Sequence, residues 1–424
     1  MLSFDWLIAP VSADTFFKDY YERQPLLIEG RDPDKFKTVV TLEEIDRYLA
    51  TSTPTFPDVF LVDASRELQA EQYSFPNGSM PGRIDLPRAY ELFQSGATIS
   101  ISQLNNQLAG LGALCRAVEK YTSHPFQTNI YLTPPNAQGF KPHYDTHDVF
   151  VLQVSGSKHW TLNETPVELP LHGQHYDSAV HTPGAVTREF TMHAGDMLYC
   201  PRGLVHSARS TGETSLHITL GLIGRTWADL MVEAVAEACL SSPALRANLP
   251  IGFARTDFDQ AEVTARFRSL IGTFTGSIDP NAIFERFAEE FVTSRRPELT
   301  GCLNEISGAA AEVSAETKAV VRPDFVHRLH EDGDRLAIVF GSTRITLPLQ
   351  TRKAVEAALA GAPFVVCNLP GPLDEAGKIV LVRRLIRDGL LTRVGGAVST
   401  STTPRADATA GRANGAARPV AALG

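Results

Sequence analysis

The stretch NIYLTPPNAQGFKPHYDTHDVFVLQVSGSKHWTL, residues 129–162, alternates short runs of β-branched and aromatic residues with Gly, Pro, Asn and Asp. Runs of this kind are Gln127–Thr133, Val149–Val154 and Trp160–Leu162, and two more, Met197–Tyr199 and Leu216–Leu220, follow downstream. Side chains of this type suit a pleated, half-buried surface, and the closely spaced turn residues predict short strands. The pattern therefore points to a small β-barrel or sandwich spanning about 126–224.

Within it lies Gly139-Phe-Lys-Pro-His143-Tyr-Asp145. Residues two apart on a strand point to one face, so His143 and Asp145 can share a metal. A third ligand must come from a distant strand. Gly195-Asp-Met-Leu-Tyr-Cys-Pro201-Arg-Gly203-Leu-Val-His206 supplies it, with a G-x5-P-x-G-x2-H spacing that turns the chain tightly and delivers His206 beyond the bend. Two neutral imidazoles and one carboxylate on one face leave coordination positions free. Fe(II) that must bind both a co-substrate and O2 suits such a set. An isolated HxD recurs in many chains; what gives this one weight is the second motif, 61 positions beyond Asp145 in a β-rich segment. His147 shares the face of His143 and Asp145 in an extended strand, as a group that could orient a ligand rather than be one.

Outward from this core the character of the chain changes. Residues 1–125 mix short helical patterns with apolar runs such as Pro25–Gly30. From 226 the period is helical. Thr226 with Asp229 forms a cap pair ahead of Trp227, Leu230, Met231, Ala234 and Ala238 on one face. Asp279-Pro280 starts another helix whose stripe is Phe284, Phe287 and Phe291. Between 301 and 395, two strands, Leu336–Phe340 and Ile345–Leu347, precede two helices, the second running from Lys378 to about Asp388 and ending at Gly389. That makeup is winged-helix-like. The expected organisation is α+β: residues 1–224 an oxygenase-type barrel domain, 225–300 a helical module, 301–395 a winged-helix-like domain, and 396–424, rich in Ala, Gly, Thr and Ser, a disordered tail.

Bulk properties exclude several classes. The 424 residues carry 39 Lys+Arg against 48 Asp+Glu, a net charge of −9, which argues against a whole-molecule nucleic-acid binder. Five scattered cysteines without a CxxC argue against a disulfide framework or zinc ribbon and fit a reducing compartment. No run approaches the ~20 apolar residues of a membrane span, and no basic segment precedes an apolar one at the start. A cytoplasmic location is the expectation.

The segment 129–162, together with GDMLYCPRGLVHSARSTGETSLHITLGL at 195–222, resembles the JmjC-type cupin proteins of the ribosomal oxygenase group. The likeness is close over about 126–224 and loose over 1–125. It implies a double-stranded β-helix followed by a helical and a winged-helix module, and a homodimer built through the helical module. The implied activity is 2-oxoglutarate-dependent hydroxylation with Fe(II), 2-oxoglutarate and O2, acting on a protein or peptide residue (such as a ribosomal protein) or a small amino-acid-like molecule. Carried over, His143, Asp145 and His206 fall on the iron ligands and Lys158 on the lysine that binds the distal carboxylate of 2-oxoglutarate. Physically, an ammonium buried in an apolar barrel needs an anion, and a carboxylate provides one. Thr219 is similar to a threonine that assists the same carboxylate, and Asn129 and Tyr131, on one strand face, resemble groups on the substrate side. One departure stands out: family members that hydroxylate a histidine carry a serine where this chain has Gly221, so a histidyl target does not follow.

Two other functions compete with the oxygenase. A cupin metal enzyme without 2-oxoglutarate would have no purpose for a buried cation at Lys158. A winged-helix regulator with a ligand-sensing barrel would need a strongly basic surface. Residues 301–395 hold 12 Lys/Arg and 11 Asp/Glu, and Arg383, Arg384 and Arg387 suit a solvated helix face.

Overall fold

A computed structural model describes residues 2–30, 32–77, 80–307 and 312–394. The tail expected to be disordered, 396–424, lies outside the described residues. The chain divides into two compact units, one of residues 1–298 with 323–349, the other of 299–322 with 350 onward, so residues 301–395 contribute to both.

Up to residue 222 the described residues of the first unit form ten strands: β1 (Leu26–Ile28), β2 (Val59–Val62), β3 (Thr98–Ile101), β4 (Phe126–Thr133), β5 (Asp148–Ser155), β6 (Lys158–Asn163), β7 (Val186–Met192), β8 (Met197–Cys200), β9 (His206–Ser210) and β10 (Ser215–Leu222). Seven form a sheet in the order β1-β8-β5-β10-β4-β3-β2, and three form a second sheet, β7-β6-β9. Every pairing is antiparallel.

The apolar run of β5 is buried on both faces, and alternation along it assigns each residue to one of two cores. Phe150, Leu152 and Val154 face a core completed by the N-terminal segments, including Phe4, Leu7, Ile8 and Phe16. The Phe150 ring lies 5.6 Å from that of Phe16 and 5.1 Å from that of Tyr199. Burying one such side chain contributes about 1.5–3 kcal/mol. Val149 and Val151 instead pack with Leu198 and Cys200 of β8 and with Trp160 and Leu162 of β6. This second core lies between the two sheets, and the site is built at its polar end. The register sets the residues that line this interior: Tyr131 pairs with His217, Asn129 with Thr219 and Gln127 with Gly221.

The cap pair Thr226/Asp229 forms a reciprocal capping box and starts the helix Trp227–Ser241. Its expected face is only partly covered: Ala234 and Ala238 are buried, whereas Trp227 and Met231 are exposed. Asp279 caps Pro280–Ser294 with proline at the first position. There Ile283 and Val292 make the buried contacts, while Phe284 is exposed and Phe287 and Phe291 are half-buried beneath Arg225 and Arg295. The packing stripe is thus offset from the phenylalanines. The strand pair around Gly341 spans Arg335–Phe340 and Thr343–Pro348 and gains a third strand, Arg328–Asp332.

The second unit has the helices Arg352–Leu359 and Glu375–Arg387 and a sheet of Phe364–Val365, Lys318–Val321 and Leu391–Arg393. Asp374 caps the latter helix, which buries Leu381, Val382, Leu385 and Ile386, and Gly389 follows with φ +84°. Among the described residues, no helix is long and apolar enough to cross a membrane.

Candidate metal centre

His143 and Asp145 do not sit on a regular strand, as their spacing suggested. His143 forms an isolated antiparallel bridge with His206, and Asp145 lies in irregular backbone before β5. The reason is that His143 pairs with the start of β9 rather than with a neighbour of β5. Its N–H donates to the His206 carbonyl at 3.1 Å, and the His206 N–H returns the bond at 2.8 Å. The Gly203 N–H donates to the Asp145 carbonyl at 3.0 Å, so three backbone bonds hold the two motifs together. Gly203 has φ +88°, and a Cβ there would lie 2.3 Å from the Val167 carbonyl oxygen, so only glycine fits the turn.

The side chains are oriented as well. His143 Nδ1 lies 2.8 Å from the Lys141 carbonyl and His206 Nδ1 3.0 Å from the Leu204 carbonyl. A carbonyl accepts, so each Nδ1 carries the proton and each Nε2 keeps a free lone pair. Asp145 Oδ2 is 3.7 Å from His206 Nε2, and one ligand atom from each of His143, Asp145 and His206 lies within 4.8 Å of the others. Burial, and then His143, hold the His206 pKa below the ordinary histidine value, favouring the neutral imidazole a metal needs. Two imidazoles, each oriented through its Nδ1, and a carboxylate fit a divalent transition metal.

The triad borders a cavity of about 260 Å³ that extends between the sheets to Lys158, Trp160, Tyr131, His217 and Thr219. Lys158 opens β6 and is 4% exposed. Among the described residues it has no carboxylate partner, and burial alone pushes its pKa down to about 7. Trp160 Nε1 and His217 Nδ1 are also buried without a hydrogen-bond partner. A cavity with a metal site at one end and a buried cation with unpaired polar nitrogens along its wall is suited to a ligand rich in acceptor oxygens. Thr219 lies in the wall one alternation beyond His217. Tyr131 stacks on His217 with centroids 4.9 Å apart, and Asn129 Oδ1 accepts from the Gln103 N–H at 3.3 Å.

His217 and Trp160 were not singled out from sequence. Alternation offered the signal, because each is two residues from an interior-facing candidate, Thr219 and Lys158. His147 is not part of the triad. A Cβ added to Gly221 would meet its ring, 2.7 Å from Nε2 and 2.8 Å from Cδ2, so His147 occupies the space a serine at 221 would need. A second depression of about 510 Å³ also borders His143 and is lined by Leu61, Asp63, Arg66, Leu68, Phe140 and Tyr176.

The donor set and the paired sheets define a site of the two-histidine, one-carboxylate class in a mixed helix-and-sheet fold. Residues 103–230 match the family model described as JmjC domain. The chain is 28% identical over 313 residues to a bifunctional lysine-specific demethylase and histidyl-hydroxylase NO66 of Aedes aegypti, covering 70% of this chain and 48% of that protein. It is 26% identical over 338 residues to ribosomal oxygenase 2 of Mus musculus, covering 77% and 70%. The chain spans about half the length of the NO66 relatives it matches. Among solved structures, YcfD, a ribosomal oxygenase from Escherichia coli in complex with cobalt and 2-oxoglutarate, superposes with a TM-score of 0.51 at 14% identity, covering 91% of this chain and 99% of YcfD. The resemblance to JmjC proteins and ribosomal oxygenases thus holds in sequence, and the fold is that of YcfD.

Proposed function

We propose that the chain is an Fe(II)- and 2-oxoglutarate-dependent oxygenase that hydroxylates a C–H bond of a protein or peptide residue. The observation that carries this is the buried Lys158, with no carboxylate partner among the described residues, in a cavity that also borders the His143, Asp145, His206 triad. In this reading the triad holds Fe(II) by three positions and leaves the others for ligands. Lys158, aided by Thr219, pairs with the distal carboxylate of 2-oxoglutarate, and Asn129 and Tyr131 face the substrate. The bound iron and 2-oxoglutarate supply O2 activation, with succinate and CO2 as by-products. The chain's own contribution is to orient both imidazoles through their Nδ1 atoms, favour the neutral form of His206, and exclude water with Val149, Val151 and Trp160.

The two facing antiparallel sheets support a double-stranded β-helix as the architecture, and the relatives' names support a ribosomal-protein substrate. Five free cysteines favour a cytoplasmic location. The domain scheme of 1–224, 225–300 and 301–395 belongs to the same reading, with a winged-helix-like third part. The test is conversion of 2-oxoglutarate to succinate by the iron-loaded protein, with intact-mass measurement of ribosomal proteins from a deletion strain. Loss of one oxygen atom from one protein is expected; unchanged masses throughout would point to a small-molecule substrate.

Assembly gives a further expectation. Trp227, Met231, Val232, Val235 and Phe284 are exposed on the helices Trp227–Ser241 and Pro280–Ser294, with the Trp227 and Phe284 rings 6.3 Å apart. Contiguous apolar surface of this kind marks an interface in a soluble protein. Sedimentation at micromolar concentration is expected to give a homodimer, and Val232→Asp a monomer. A wild-type monomer under those conditions would refute the dimer.

A further inference from the structure

We propose that Glu22, Asp148, Tyr199 and Arg202 form a clamp that positions Asp145 for metal binding, an inference that rests on the metal reading of the triad. Asp148 lies three residues beyond Asp145, opens β5, and is 1% exposed. Its carboxylate accepts from the Tyr199 hydroxyl at 2.6 Å and from Arg202 Nη1 at 3.3 Å. Arg202 Nη1 also bonds the Glu22 carboxylate at 2.5 Å, and the Glu22 N–H donates to Tyr199 Oη at 2.9 Å. A carboxylate this deeply buried is tolerated only when paired and hydrogen-bonded, and charge-assisted bonds fix the geometry of both partners.

What the clamp holds follows from chain connectivity. Arg202 is adjacent to Gly203, whose N–H carries the Asp145 carbonyl, and Tyr199 lies opposite Phe150 in the β5–β8 register. The segments 145–148 and 199–203 are therefore tied together at three points, on the side away from the ligand atoms. The two histidines have further restraints of their own. They are locked by their reciprocal backbone bonds and by their own Nδ1 contacts with Lys141 and Leu204. Among the described residues no such bond reaches the Asp145 carboxylate, so its aim depends on the segment that carries it. Glu22 adds an independent sign of constraint: its φ is +56°, a left-handed conformation that a non-glycine residue keeps where its surroundings over-determine it. The clamp thus makes a residue far from the site in sequence a condition for the metal geometry.

The test is a Co(II) titration of the full chain, followed by the metal's absorption bands, for wild type, Asp148→Asn, Tyr199→Phe, Asp145→Ala and the Asp145→Ala/Asp148→Asn double variant. Asp148→Asn is expected to raise the Co(II) dissociation constant ~10–100-fold, the range for groups that orient a metal ligand. Tyr199→Phe keeps the ring packed against Phe16 and Phe150 and should shift the constant in the same direction by less. In the Asp145→Ala background, Asp148→Asn should add little, because the residue it positions is gone. A general loss of structure would not produce that non-additivity. Unchanged Co(II) affinity in folded Asp148→Asn, or an equal penalty in the Asp145→Ala background, overturns the clamp. Should Asp148→Asn not fold, Tyr199→Phe decides by the same criterion. Absence of Co(II) binding in the wild type would instead reject the metal reading, and the clamp with it.

Discussion

His206→Ala is expected to abolish conversion of 2-oxoglutarate to succinate while leaving the protein folded. The position of residue 206 is set by backbone bonds to His143 and by pairing of β9 with β6, all of which alanine retains. What disappears is the Nε2 lone pair, one of three donors gathered within 4.8 Å. Loss of a group that merely orients a ligand costs about 10–100-fold in metal affinity or activity, and loss of the ligand itself should exceed that. His143→Ala and Asp145→Ala should behave alike, because two donors do not close the facial set. The measurement is succinate formation at saturating Fe(II), alongside thermal unfolding of each variant. A folded His206→Ala protein turning over at the native rate would refute the ligand assignment.

Much of this site was legible because its determinants are local. HxD and G-x5-P-x-G-x2-H are short covalent spacings, and the second contains the glycine that its turn requires. Lys158, Trp160 and Leu162 alternate along β6, so placing one inward places the others. Within 126–224, two strands were not legible. β7, Val-Thr-Arg-Glu-Phe-Thr-Met, is mostly exposed and carries two charges, and β9, His-Ser-Ala-Arg-Ser, is largely polar; both exist because β6 offers a partner on each side. Such strands are specified by their neighbours rather than by their own composition.

Other features depend on contacts distant in sequence. Gly221 read as the loss of a hydroxyl, but pairing of β10 with β5 brings His147 against it and fills the space with an imidazole. Glu22 and Arg202 are 180 residues apart, and no local pattern announces that they meet. The phenylalanine stripe at 284, 287 and 291 was visible as a period, yet Ile283 and Val292 do the packing. Periodicity identifies a helix more securely than it identifies which face is covered.

Lys158→Ala should raise the dissociation constant of 2-oxoglutarate steeply and leave metal affinity nearly unchanged, a result that separates the oxygenase from cupin enzymes without an oxo-acid. In the cavity an unpaired carboxylate is costly, and removing one member of a buried pair costs ~3–5 kcal/mol, a loss of roughly a hundredfold or more in affinity. Lys158→Arg keeps the charge but changes reach and fork geometry, so it should be tolerated only in part. A dependence on pH follows from the same burial. The Lys158 pKa is pushed from 10.5 down to about 7, so in the ligand-free protein the ammonium is fully present only below that value. Binding a carboxylate favours the charged form and requires it, so affinity should be highest below about pH 7 and fall as pH rises through it. Stability of the ligand-free protein should move oppositely. Between about 7 and 10.5 the unfolded chain holds the proton that the folded one has released, so unfolding becomes harder as pH rises across that window. Both effects should vanish in Lys158→Ala, which distinguishes them from titration of the histidines. The experiment is an anaerobic titration of 2-oxoglutarate into the Fe(II) protein across pH, following the metal-to-ligand absorption band. Equal affinities for wild type and Lys158→Ala would show that this cation binds no carboxylate, and no band in either would favour a cupin chemistry that uses no oxo-acid.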